Sequence, residues 1–116
     1  RVIVVLPLLP AFPGSALDNA SIRQILHLQY TTIARGPGSM LHRIGQKTAT
    51  PGRYLSFYGL RTWGLLAEGL REHQVYVHGK LMIVDDQKYI CGSANINDRS
   101  LLGKRDSEMA VVVSGG

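Results

Sequence analysis

The sequence predicts an α/β fold, a mixed β-sheet flanked by helices, from three observations. The chain opens on a β-branched apolar run, "RVIVVL". An amphipathic helical stretch and a second apolar segment follow. From "VYVHGKLMIVD" onward, short apolar segments succeed one another almost to the end. Strand, helix, strand and then several strands in succession is the order of a mixed sheet covered by helices.

Each element has its own warrant. "RVIVVL" is continuous and apolar, the pattern of a strand buried on both faces and paired in parallel. The Pro- and Gly-rich "PLLPAFPGS" ends it. A helix is predicted over about residues 17–34, because Ile22, Ile25, Leu26, Gln29 and Ile33 fall on one face at helical spacing. Ser15 with Asp18, or Ser21 with Gln24, supplies its starting cap. Gly36, Pro37 and Gly38 stop it. His27 lies inside this helix and is read as a surface or packing residue. Residues 39–50 form a short basic helix or loop, closed by Pro51 and Gly52. "RYLSFYGL" is a second strand. "RTWGLLAEGLREHQ" stays open, since its two glycines weaken a helix; Trp63 within it is read as a packing residue. In "VYVHGKLMIVD", His78, Lys80, Met82 and Val84 share one face of an extended strand, and Leu81, Ile83 and Asp85 share the other. "DDQ" makes a tight turn, "KYICG" returns as the hairpin partner, "GSANIND" is a polar loop at its end, and "SEMAVVV" is the final strand.

Composition narrows the function. A chain of 116 residues is one domain or less. Its first residue is Arg1 and it closes on Ser-Gly-Gly, so it is expected to be a piece of a longer protein. An apolar fraction of 45% with 18% charged residues excludes a disordered chain. The net charge is +5. Before His78 the acids are only Asp18, Glu68 and Glu72, against eight Lys and Arg. Such a surface suits membranes, phosphates or nucleic acid, although a merely soluble basic domain fits the charge equally well. The single cysteine, Cys91, excludes an intrachain disulfide and fits a reducing compartment; it is read as a small core residue. No run reaches the roughly 18 apolar residues of a membrane span, so a membrane would be met from the side.

The chemistry gathers between His78 and Glu108. Imidazole serves as nucleophile or as general acid and base near neutral pH. An ammonium two residues on, at Lys80, points the same way and neutralises an anionic oxygen. "GSAN" adds the Ser93 hydroxyl, the Asn95 amide and backbone N–H groups, all donors suited to phosphate. The hairpin should bring Ser93 and Asn95 back toward His78 and Lys80. This points to phosphoryl chemistry without a metal or other cofactor: the chain has no zinc-type ligand spacing and no Walker-type glycine loop.

His78-x-Lys80-x4-Asp85, followed by Gly92-Ser93-x-Asn95, resembles the HKD motif of the phospholipase D superfamily. The stretch "YVHGKLMIVDD…CGSANINDRSLLGKRDSEMAV" is similar to the second HKD segment of eukaryotic phosphatidylcholine-hydrolysing phospholipases D. "RVIVVLPLLPAFPG" and "YLSFYGLRT" are similar to the segments that precede it there. The resemblance implies one half of a two-lobed fold, in which two HKD motifs face each other across one active site. One histidine becomes a phosphohistidine; the other protonates the leaving alcohol and then activates water. It implies the second role for His78, with nucleophile as the lesser alternative, and phosphate-holding positions for Lys80, Ser93 and Asn95. Asp85 belongs to the motif's catalytic set, yet its strand parity predicts a supporting place at the turn. Glu108 matches an acid that orients a catalytic histidine of the opposite half, with Asp106 as fallback.

The implied partners are a phospholipid at a membrane surface and the other HKD half, from the same chain or a second copy; nucleic acid is not expected. The implied location is cytoplasmic and peripheral to a membrane. Only one HKD motif is present, since His27, His42 and His73 lack a lysine two residues on. Two competing readings follow. One is a compact homodimeric phosphodiesterase or nuclease, which the net charge favours and the long Asn95–Glu108 interval opposes. The other is a non-catalytic half-domain that binds anionic lipid.

Overall fold

The computed structural model describes residues 1–11 and 19–115. They fall into two compact units, Arg1–Val77 and His78–Gly116.

In the first unit, β1 (Val2–Val5) pairs in parallel with β2 (Leu55–Tyr58), Val2 opposite Leu55 and Val5 opposite Tyr58. Between them lie α1 (Ala20–Ile33), α2 (Met40–Gly45) and a 3-10 turn at Pro51–Arg53. The expected helix is present, but its cap is Asn19, whose side chain accepts from the backbone N–H of Ser21 at 3.0 Å and Ile22 at 3.4 Å. This replaces the Ser21–Gln24 cap; Ser15 and Asp18 lie outside the described residues. Ile22 is the deepest apolar side chain of the predicted face, at 3% exposure, and His27 is exposed. Gly36 ends the helical run with φ at +84°, a conformation open to glycine. Ser39 caps α2 and is fully buried.

The open stretch resolves into a hairpin. β3 (Leu60–Leu66) and β4 (Gly69–Val75) pair antiparallel across a two-residue turn, Ala67-Glu68. Gly69 leaves the turn at φ +109°, so the glycine that weakened a helix is the one the turn requires. The hairpin is tied back by Gln74, whose side chain accepts from Leu9 N–H at 2.8 Å and donates to the Leu9 carbonyl at 3.3 Å. Trp63 does not pack as expected: it is 71% exposed on this hairpin.

The second unit is a three-stranded antiparallel sheet in the order β5 (Leu81–Val84), β6 (Lys88–Gly92), β7 (Ala110–Ser114). Asp85 and Asp86 turn the β5–β6 hairpin with φ of 51° and 55°, the paired left-handed geometry that matches strand twist and that aspartate tolerates. A four-residue helix, α3 (Asp98–Leu101), interrupts the β6–β7 connection. The side chain of Asn97 caps it by accepting from Ser100 N–H at 3.1 Å.

The α/β class is therefore observed, with parallel and antiparallel pairing. The described strands divide among three small sheets rather than one. Two expectations of burial are corrected. β1 is not buried on both faces: Val2, Ile3 and Val5 are 57%, 58% and 44% exposed, because β2 is its only strand neighbour among the described residues. Cys91 is exposed rather than a core residue, because both faces of its sheet are open within this unit.

Gly92 is where the second unit is tightest. A Cβ there would lie 2.5 Å from the Met109 carbonyl oxygen and 2.7 Å from the Ala110 Cβ. Backbone cannot yield as a flexible side-chain tip can. Gly92→Ala should lose about 1–3 kcal/mol of stability, measured as a lower urea midpoint; an unchanged midpoint would show that β7 can move aside.

Candidate active site

The β5–β6 ladder continues one step beyond β5, because Gly92 N–H donates to the Lys80 carbonyl at 3.2 Å. Lys80 is therefore opposite Gly92, and the residue after Gly92 is Ser93, at the mouth of the polar loop. On the other side Ser93 N–H donates to the Met109 carbonyl at 2.9 Å, and Met109 N–H donates to Ser93 Oγ at 3.0 Å. Register alone thus gathers Lys80, Ser93 and the Glu108–Met109 segment at one end of the sheet. His78 stands two residues before Lys80, ahead of β5, and is exposed. Asn95 stands two residues after Ser93, is also exposed, and donates its backbone N–H to Ser100 Oγ at 3.1 Å. Asp85 is at the opposite end of the hairpin, in the turn.

Glu108 is the centre of this group. The Ser93 hydroxyl donates to its carboxylate. Hydroxyl bonds from Ser100 and then Ser93 hold the carboxyl below its ordinary range, with the Lys80 charge adding to them and Asp106 opposing. Lys80 is half-buried and its ammonium donates to the His78 carbonyl at 2.7 Å. A serine hydroxyl has one proton to give. With that proton on Glu108, Ser93 can hold a phosphate oxygen only by releasing the carboxylate, whereas Lys80 has further donors.

Asp106, the fallback acid, is committed elsewhere. Arg99 clamps it with two parallel bonds, Nε and a terminal nitrogen each 3.1 Å from a carboxylate oxygen. The same pairing raises the Arg99 pKa through the hydrogen bond and charge of Asp106. Ser100 and this clamp were missed in reading the sequence. Asn97 followed three residues later by Ser100 was a visible capping signal; the Arg99–Asp106 contact has no local pattern to betray it.

Residues 62–114 match the family model described as Phospholipase D, a segment that contains every candidate site residue from His78 to Glu108. Among curated proteins, the chain is 52% identical to Phospholipase D zeta 1 of Arabidopsis thaliana over 118 residues, covering 97% of this chain and 11% of that protein. It is 52% identical to Phospholipase D2 of Bos taurus over 116 residues, with 97% and 12% covered. It is 51% identical to Phospholipase D1 of Homo sapiens over 119 residues, with 97% and 11% covered. The chain belongs to the phospholipase D family, and it spans about a tenth of the length of these relatives.

Because folding depresses the Glu108 pKa, the contribution of its hydroxyl bonds is complete above the ordinary value of 4.5. It is lost as pH falls through the lower folded value. Removing a hydroxyl donor in Ser93→Ala should move the Glu108 titration upward in carbon NMR; an unmoved midpoint would remove Ser93 as a cause.

Proposed function

We propose that this chain supplies one half-site of a phospholipase D that hydrolyses the distal phosphodiester of phosphatidylcholine to phosphatidic acid and choline. What supports the reading is the assembly of Lys80, Ser93 and Glu108 at one sheet end, beside His78 and Asn95, inside a segment about half identical to proteins named phospholipase D.

In this reading, the imidazole of the other HKD half attacks phosphorus and forms a P–N bond. The P–O bond to choline breaks, and His78, as imidazolium, gives its proton to the departing oxygen. Neutral His78 then takes a proton from water. The water oxygen bonds to phosphorus, the P–N bond breaks, and phosphatidic acid leaves. An alcohol in place of water gives transphosphatidylation. Lys80 and Asn95 hold the non-bridging oxygens and stabilise charge that grows in the transition state. Ser93 joins them when it gives up Glu108. Glu108 accepts a hydrogen bond from the imidazole of the other half and fixes its tautomer. Asp85 supports the hairpin turn and, through it, the strand that carries the motif.

No helix among the described residues is long and apolar enough to cross a membrane. The lipid is met at a surface, which we place on the cytoplasmic side, and the basic balance of the chain suits it.

His78→Ala in the full-length protein should lower choline release from phosphatidylcholine vesicles by roughly 10²–10⁴-fold, the usual worth of a general acid–base. Turnover that survives the substitution would remove His78 from the chemistry.

A further inference from the structure

The connection from β6 to β7 is closed twice. Its mouth is closed where Ser93 N–H donates to the Met109 carbonyl at 2.9 Å and Met109 N–H donates to Ser93 Oγ at 3.0 Å. Farther out, Arg99 closes it again on Asp106. Nε donates to one carboxylate oxygen and a terminal nitrogen to the other, each at 3.1 Å. The Asp106 N–H donates to the Arg99 carbonyl at 3.3 Å. Asn95 and Glu108 lie between the two closures, one on each arm. Asn95 is bound to the helix that carries Arg99: its N–H donates to Ser100 Oγ at 3.1 Å, and its carbonyl accepts the Asn97 N–H at 2.9 Å. Asn97 caps that helix by accepting from Ser100 N–H at 3.1 Å. Glu108 is on the returning arm, two residues after Asp106. Without the second closure, Asn95 and Glu108 would share one open loop, residues 94–108.

We propose that Arg99 is a positioning residue: its two-point contact with Asp106 sets the separation of the two arms, so that the Asn95 amide and the Glu108 carboxylate are held in register for one reaction. This rests on the reading of Asn95 as a phosphate holder and of Glu108 as the acid that orients the histidine of the other half. The pair is a poor source of stability, since its side chains are 59% and 34% exposed and such ion pairs contribute little. What it supplies is shape. Two parallel N–H···O bonds from a planar guanidinium fix a distance and an angle, whereas a single ammonium contact can pivot. Arms that drift by an ångström no longer present both groups to the same phosphorus centre, and misplacement on that scale reaches 10²-fold in rate.

The test is a cycle of Arg99→Lys, Asp106→Asn and the double variant in the full-length protein. Arg99→Lys keeps the charge and loses the fork; Asp106→Asn keeps the shape and one acceptor. Choline release from phosphatidylcholine vesicles gives kcat and KM, and thermal unfolding gives the folded fraction. Each single variant should lose on the order of tenfold in kcat with KM unchanged, because the arms act on charge and geometry that develop in the transition state. The unfolding temperature should hardly move. The double variant should fall no further than the worse single, since both changes break one contact. Lys104→Ala, which removes an exposed cation from the same loop, should keep kcat. An unchanged kcat in Arg99→Lys, a loss confined to KM, a loss matched by the folded fraction, losses that multiply in the double variant, or an equal loss in Lys104→Ala each overturns the assignment. Bis(p-nitrophenyl) phosphate serves as a second substrate. Wild-type protein that cleaves it but releases no choline sinks the lipase reading, while the same cycle on that diester still decides Arg99. Wild-type protein that cleaves neither overturns both.

Discussion

The passage of β7 over Gly92 sets the geometry on which the second unit depends. With the Met109 carbonyl oxygen 2.5 Å from where a side chain would begin, position 92 admits hydrogen alone. That close approach fixes the β6–β7 register. Met109 then exchanges hydrogen bonds with Ser93 rather than with a neighbour, and Glu108 is delivered beside the Ser93 hydroxyl. Gly92 N–H meanwhile reaches Lys80 on the other strand. A slip of one residue would turn every side chain of the strand to the opposite face and scatter the ammonium, the hydroxyl and the carboxylate.

Two acids only two residues apart are sorted by their partners. Asp106 is neutralised by a guanidinium fork, while Glu108 stays anionic among hydroxyls within reach of the Lys80 charge. The Arg99–Asp106 pair is partly exposed, at 59% and 34% of its side-chain surfaces, so its energy is modest. Its planar two-point contact nevertheless defines a distance across the loop, and it keeps the negative charge of Asp106 engaged beside Glu108. The result is one acid held by a cation and one held by a hydroxyl.

The sequence made the local elements legible where a side-chain period or a breaker announces them. The face of α1, the DDQ turn and the KYICG partner strand were all visible in this way. The Lys80–Ser93 proximity followed from hairpin arithmetic. What escaped was set by backbone or by distance in sequence. The β3–β4 hairpin was obscured because Gly64 and Gly69 read as helix weakeners, when a positive φ at one of them is what the turn needs. Burial was over-read at β1, Trp63 and Cys91, because apolar character tells what a side chain prefers and not how many layers cover it. Asn19 was overlooked as a cap in favour of serines nearby. Within the site, the Arg99–Asp106 clamp was passed over because its partners lie seven residues apart across a loop, where spacing carries no signal.

Lys80 does not wait for a ligand as a waving chain. Its ammonium already rests on the carbonyl two residues behind it. A lysine that orders itself only when an anion arrives gives up rotamer freedom of roughly 1.5–2 kcal/mol. Here most of that ordering precedes any encounter. An oxyanion docking at this strand end meets an amine whose conformation is already selected, and the energy of their contact goes into grip and not into arranging the side chain.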